Sequence, residues 1–282
     1  MKTNENTQVL YEDQIDIEES HILGIPIANL CYEKVVGRIL QWGGARENRY
    51  IGICNVHSTT CSSWVPELRK ALLNSDMNTA DGMPLVWMQR LLGFKKASRV
   101  YGPTLMLKTI EKAAAKNLRM AFYGGHPDRL PVLLESLHEK FPGLNVVEAI
   151  SPPFRALTSE EDNEFTRRLN DAKPHIIWVG IGCPKQEVWM FEHRPRIQGV
   201  MIGVGAAFDF HAGAVSQAPA ILQRIGLEWA YRLYCEPRRL FKRYLTTNPV
   251  FLACAAWQLA NKTLRRAVYI QPKSMTPSST TA

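Results

Sequence analysis

No stretch of this 282-residue chain reaches the roughly 20 apolar residues that a membrane-spanning helix needs. A spanning helix is therefore not expected. The first twenty residues, MKTNENTQVLYEDQIDIEES, lack the apolar segment of a secretory signal and carry six acids against one lysine. They read as a disordered acidic arm, 1–20, on a protein expected to stay in the cytoplasm. No CxxC pair occurs among Cys31, Cys54, Cys61, Cys183, Cys235 and Cys254, most of which sit in apolar contexts. Reduced, buried thiols are expected rather than disulfides or zinc ligands.

Several catalytic signatures are also missing. There is no G-x-x-x-x-G-K-[ST], which argues against a P-loop NTPase, and neither H-E-x-x-H nor G-x-S-x-G. His57, His126 and His211 each follow a candidate strand end, but they do not have metal-ligand spacing. There is no D-x-D either, the pair with which many sugar-nucleotide enzymes hold a divalent metal on a diphosphate. A diphosphate bound here would be neutralised by basic side chains and backbone N–H groups.

What the chain does have is two apolar, β-rich runs that break into glycines: KPHIIWVGIGCPKQEVWM and, after a short connection, QGVMIGVGAAFDFHAG, spanning 173–213. Each reads as a buried strand ending in a turn where a ligand can approach the backbone, or, more blandly, as a strand ending in a tight turn. Polar residues just past these glycines, Gly182 among them, are the first site candidates: Lys185, Gln186, Glu187, Asp209 and His211. G-V-G-A-A-F is near a dinucleotide fingerprint, which keeps a nicotinamide-dependent oxidoreductase as the alternative reading. Its last position is Phe208, however, and DFHAG interrupts the helix that should follow.

Upstream, HILGIPIANL suggests a short strand pair, and RYIGIC is a strand that ends at Asn55 before a Ser/Thr-rich helix start. Asp81-Gly82 is a turn, and Pro84 fits the first turn of a helix, LVWMQRLLG. Asp81 is either the cap of that helix or a functional carboxylate. Arg99, in the SRVYGP connection, is either solvated or an anion clamp. LRMAFYGG is a strand whose Gly124-Gly125 would let an anion approach the following helix, with Asp128 or the loop before it as its cap. LNVVEAI is another strand, and Thr158 to Glu161 is a capping box.

This β-α-β alternation, with 46% hydrophobic residues, predicts one large α/β core. The expected fold is Rossmann-like, a mostly parallel sheet covered by helices over 21–231. A basic helical C-terminal appendage (232–270) and a disordered tail (271–282) follow. From Arg232 onward there are nine Lys or Arg and one acid, which equals the +8 net charge of the whole chain. Interleaved with aromatics, that charge suits an anionic membrane surface rather than nucleic acid; the plainer alternative is a helical pair packed on the sheet with its arginines in water. Removing it is expected to leave the sheet domain folded.

In order, Asn55, ADGMPLVW, SRVYGPTLM, FYGGHPD, KPHIIWVGIGCPKQEVWM, GVGAAFDFHAG and GLEWAYRLYCEPRRLFKRYL closely resemble the WecG/TagA/CpsF family of bacterial glycosyltransferases, over about 22–251. The resemblance implies inverting, metal-independent transfer from a UDP-sugar to a polyprenyl-diphosphate-linked sugar in cell-surface or exopolysaccharide synthesis. It also implies a peripheral enzyme on the inner face of the cytoplasmic membrane, without a bound cofactor. By the same resemblance Asp81 is the base, Asn55, Arg99 and Gln186 line the pocket, and Arg232, Arg238 and Arg239 clamp one or both diphosphates. The chain departs from the family pattern at Ile53, Thr104 and Gln217, which bears on donor or acceptor identity rather than on the reaction. Oligomeric state is not set by the sequence, and a homo-oligomer is compatible with it.

Overall fold

The computed structural model describes residues 17–261. Residues 1–16 of the expected arm, 262–270 of the expected appendage and the tail 271–282 lie outside the described residues.

Two strands, β1 (Glu19–Ile22) and β2 (Ile25–Ala28), form an antiparallel hairpin. Six more form one parallel sheet: β3 (Arg49–Cys54), β4 (Met77–Ala80), β5 (Arg119–Gly124), β6 (Asn145–Ile150), β7 (Ile176–Gly180) and β8 (Val200–Gly203). Their order is β4-β3-β8-β7-β5-β6, every pair parallel. The central strands read as unbroken apolar runs because both faces are covered. Along β7, Ile176 and Trp178 face one helical layer while Ile177 and Val179 face the other. Helices Tyr32–Gly44, Gly102–Ala114 and Leu130–Lys140 cover the first face. Helices Ser159–Ala172 and Lys185–His193 cover the second. Trp178 and Phe122 are fully buried, and truncating either to Ala would cost about 3–5 kcal/mol.

Local signals set the helix starts. Thr158 Oγ1 accepts from Glu161 N at 3.2 Å while Glu161 Oε2 accepts from Thr158 N at 2.9 Å, closing the expected capping box. Pro84 lies in the first turn of the helix Met83–Leu91, as expected. Asp128 does not cap its helix. The chain passes through a turn first, the helix begins at Leu130, and its N-cap Arg129 makes no side-chain cap bond.

The C-terminal segment differs most from expectation. Helix Glu228–Cys235 runs across the 231/232 boundary, and helix Pro237–Ala260 is built into the fold. Its Phe251 and Ala255 join a core cluster with Ile25, Cys61, Leu68 and Leu85. Gln258 clasps the hairpin: its Nε2 donates to His21 O at 2.6 Å and its Oε1 accepts from Leu23 N at 3.0 Å. This helix is therefore part of the packed body rather than a separable attachment. Among the described residues no helix is long and apolar enough to cross a membrane. The cysteines are free, but only Cys54 and Cys61 are buried, and Cys235 is exposed.

Candidate active site

A parallel sheet brings every carboxyl end to one edge, so Asn55 after β3, Asp81 after β4 and the glycines after β5, β7 and β8 all lie there. Asp81 N donates to Cys54 O at 2.8 Å, which fixes its turn to the end of β3. Gly82, not Asp81, is the N-cap of the next helix, so the carboxylate is left for other work.

That carboxylate faces Arg99, whose Nη2 lies 3.1 Å from Asp81 Oδ1. Arg99 Nε also donates to the Asp81 carbonyl, and its guanidinium lies 4.2 Å above the Tyr101 ring. Asp81 and Arg99 keep only 19% and 15% of their side-chain surface in solvent. Burial pushes the Asp81 carboxyl up to about 6, opposed by Arg99 and reinforced by Glu228, with Arg232 a further opposing charge. A carboxylate in that range holds and releases protons near neutral pH, as a general base must.

The other expected residues divide into groups. Asn55 caps the helix Val56–Cys61: its Oδ1 accepts from Ser58 N at 3.1 Å, and its N donates to Ser58 Oγ at 3.0 Å. It sits directly behind the Asp81 turn, because a Cβ on Gly82 would lie 3.7 Å from Asn55 Cα. Gln186 is 4% exposed beneath the end of β8 and donates to Glu187 Oε1 at 2.8 Å. Its Oε1 and Glu187 Oε2 have no hydrogen-bond partner among the described residues. Burial raises the Glu187 carboxyl, so it favours the neutral form. Lys185 is exposed.

Gly124 and Gly125 serve packing. A Cβ on Gly124 (φ +125°) would lie 2.5 Å from the Gly180 carbonyl carbon, and Gly125 N donates to Gly180 O at 3.1 Å. Gly182 (φ +82°) has open space where a side chain would be. Asp209 is held by Arg129 at 2.8 Å. His211 is buried and bonded to Pro103 O at 3.0 Å, a structural position. Burial, with Arg243 nearby, lowers the His57 imidazole to about 4, so it is neutral beside Cys61, whose Sγ is 3.3 Å away.

Of the C-terminal arginines, Arg232 reaches the site. Its guanidinium lies 5.4 Å from the centre of the Phe210 ring, and its charge acts on Asp81. Arg239 pairs with Glu236, and Arg238 is exposed. Two residues were not expected. Glu228 Oε2 accepts from Arg99 Nη2 at 2.5 Å, and Arg243 is largely buried near His57, Cys183 and Glu187. Glu228 lies inside the GLEW motif, whose position in the chain gave no hint of its partner. The nicotinamide alternative fares poorly in the packing. The helix after β8 is only Ala207–His211, and Phe208 fills the space over Gly180 and Gly125.

A parallel sheet with a raised carboxylate, Asp81, held by an arginine at its carboxyl edge defines an α/β enzyme suited to an anionic substrate. The chain belongs to the WecG/TagA/CpsF family of glycosyl transferases, whose sequence model matches residues 20–265. It is similar to the N-acetylglucosaminyldiphosphoundecaprenol N-acetyl-beta-D-mannosaminyltransferase of Bacillus spizizenii, with 29% identity over 175 residues, 62% of this chain and 66% of that protein. The Staphylococcus aureus enzyme of the same name is 24% identical over 244 residues, 86% of this chain and 93% of its own length.

Proposed function

We propose that the chain is an inverting, metal-independent glycosyltransferase that moves a sugar from a UDP-sugar to a polyprenyl-diphosphate-linked sugar acceptor, in the synthesis of a cell-surface polysaccharide. The observation that carries this reading is the Asp81 carboxyl, lifted to about 6 and held against Arg99 at the sheet edge. The names of the two relatives make N-acetylmannosamine the first donor sugar to test, on an N-acetylglucosaminyl-diphospholipid acceptor.

In this reading Asp81 takes the proton from the acceptor hydroxyl as that oxygen bonds to the anomeric carbon. The bond from the anomeric carbon to the UDP oxygen breaks on the opposite face, and UDP leaves with the electron pair. One carboxylate suffices, since nothing has to bond covalently to the sugar. The charge growing on the leaving diphosphate needs fixed positive donors. Arg232 and Arg243 are the candidates, because each has a buried Nε with no partner among the described residues.

An acceptor with a lipid tail stays in its bilayer, so the enzyme must reach it. Helix Pro237–Ala260 and its neighbour expose Tyr234, Phe241, Leu245, Leu252 and Trp257 alongside Arg238, Arg239 and Lys242. That mixture favours an anionic membrane surface at the cytoplasmic face. The test is transfer from labelled UDP-sugars to a defined lipid-diphosphate N-acetylglucosamine, with and without a chelator. Transfer that survives the chelator and is lost in Asp81→Asn supports the reading. Transfer that needs added magnesium overturns its metal-free part, and full turnover in the variant overturns the base.

A further inference from the structure

Arg99 is shared. The same nitrogen, Nη2, donates to Asp81 Oδ1 at 3.1 Å and to Glu228 Oε2 at 2.5 Å, so this nitrogen sits closer to Glu228 while Nε is held by the Asp81 carbonyl. Glu228 comes from far along the chain. It opens the helix Glu228–Cys235, beyond the last strand, and only 13% of its side chain is in solvent. We propose that Glu228 is a positioning residue that competes with Asp81 for Arg99, so that seating this helix against the sheet edge sets how strongly the base holds its proton. The inference rests on the reading of Asp81 as the base.

The electrostatics have few participants. Among the described residues the ionisable groups around Asp81 are Arg99, Glu228, Arg232, Tyr32, Tyr101 and Cys54. Burial pushes the two tyrosines and the thiol upward, so they are neutral across the working range. The charges left to act on Asp81 are two arginines and Glu228. With Glu228 in place, Arg99 divides its hydrogen bonds and a second negative charge stands nearby, and both effects favour the protonated base. With Glu228 absent or withdrawn, Arg99 belongs to Asp81 alone, and the ion pair holds the carboxylate in its charged, less basic form. The helix that supplies Glu228 also supplies Arg232, one turn later. A single seating motion therefore delivers a cation for the leaving diphosphate and frees the base from its clamp.

The test is a titration of the Asp81 carboxyl by carbon-13 NMR, assigned by the signal that Asp81→Asn removes. It is run on wild type, Glu228→Gln and Glu228→Asp, with the pH profile of kcat/KM in parallel. In Glu228→Gln the midpoint should fall by about one pH unit from about 6, the effect of one close like charge. The acid limb of kcat/KM should move with it, so that near pH 5 the variant keeps an about fivefold larger fraction of its own maximum than wild type. Glu228→Asp retains the charge and should shift the midpoint less than Glu228→Gln. An unchanged midpoint in folded Glu228→Gln overturns the proposal, as does an equal shift in both variants, which would trace the effect to lost packing. If wild type transfers no sugar, the reading under "Proposed function" fails, while the NMR midpoints still decide whether Glu228 acts on Asp81.

Discussion

Replacing Asp81 by Asn should make the protein more stable at neutral pH while removing most of its activity, and the structure fixes both the sign and the size. The side chains match in shape, so the difference is mainly the charge. Lifting a carboxyl from 3.8 to about 6 means that keeping it ionised inside the fold costs about 3 kcal/mol relative to the unfolded chain. Below 3.8 the group is protonated in both states and the cost is absent; it grows as pH rises and is complete above about 6. Asparagine never pays it. The stability gap in favour of the variant should be near zero at about pH 4 and approach about 3 kcal/mol at about pH 8. For a chain of this length that is a rise in Tm of roughly 6–12 °C at the higher pH. Urea and thermal unfolding of both proteins across that range measure the gap, and turnover in the same buffers should drop about 10²- to 10⁴-fold. A variant less stable than wild type at about pH 8, or a gap that does not change with pH, would refute the reasoning that burial strains this carboxylate.

Arg99→Ala should be destabilising, because it leaves Asp81 and Glu228 facing one another with no cation between them. The loss should be about 3 kcal/mol at about pH 8 and smaller at about pH 5, where Asp81 takes up a proton; equal losses in urea at both pH values would contradict this. Phe251→Ala should cost about 3–5 kcal/mol in urea unfolding, since the side chain is buried among residues of the hairpin and the first helices. Ending the chain before Pro237 should lower stability at least as much, and a truncated protein as stable as the whole would show that this helix is a loose attachment. Reversing Arg238 and Lys242 to Glu should weaken sedimentation with anionic vesicles by at least about thirtyfold, at about 1 kcal/mol per basic residue removed from the surface, with no effect on neutral vesicles. Unchanged sedimentation would locate the membrane contact elsewhere.

The fold was readable because its signals are local. RYIGIC, RMAFYG, IIWVG and VMIG are strand-length apolar runs that end in glycine or stop at a polar residue, and each became a strand of the sheet. The capping box at Thr158 and the proline at Pro84 fix helix starts by bonds or dihedrals within one turn, so they too were visible. Where the outcome depended on distant packing, the sequence was silent. Asp128 has good capping chemistry, but the turn built on His126, whose carbonyl accepts from Arg129 N and Leu130 N, starts the helix later. The basic C-terminal run looked separable because its charge stands out, whereas the residues that anchor it, Phe251, Ala255 and Gln258, are ordinary and find their partners near the other end of the chain.

The site follows the same division, which explains why half of it escaped. Asp81 was conspicuous since a D-G turn after a polar strand is a local oddity, and Arg99 stood near it in sequence. What gives Asp81 its chemistry is a third charge that joins them from position 228, 129 residues beyond Arg99. In the linear chain Glu228 is one acid at the start of a basic, aromatic stretch, where its natural role would be a favourable charge on the first turn of its own helix. The parallel sheet converts that into a contact: it gathers the ends of β3 and β4 and the segment after β8 at one edge, so an arginine from one connection meets carboxylates from two. A single cation shared between two acids holds neither of them fully, and Asp81, whose burial outweighs its part of that cation, is left able to take a proton.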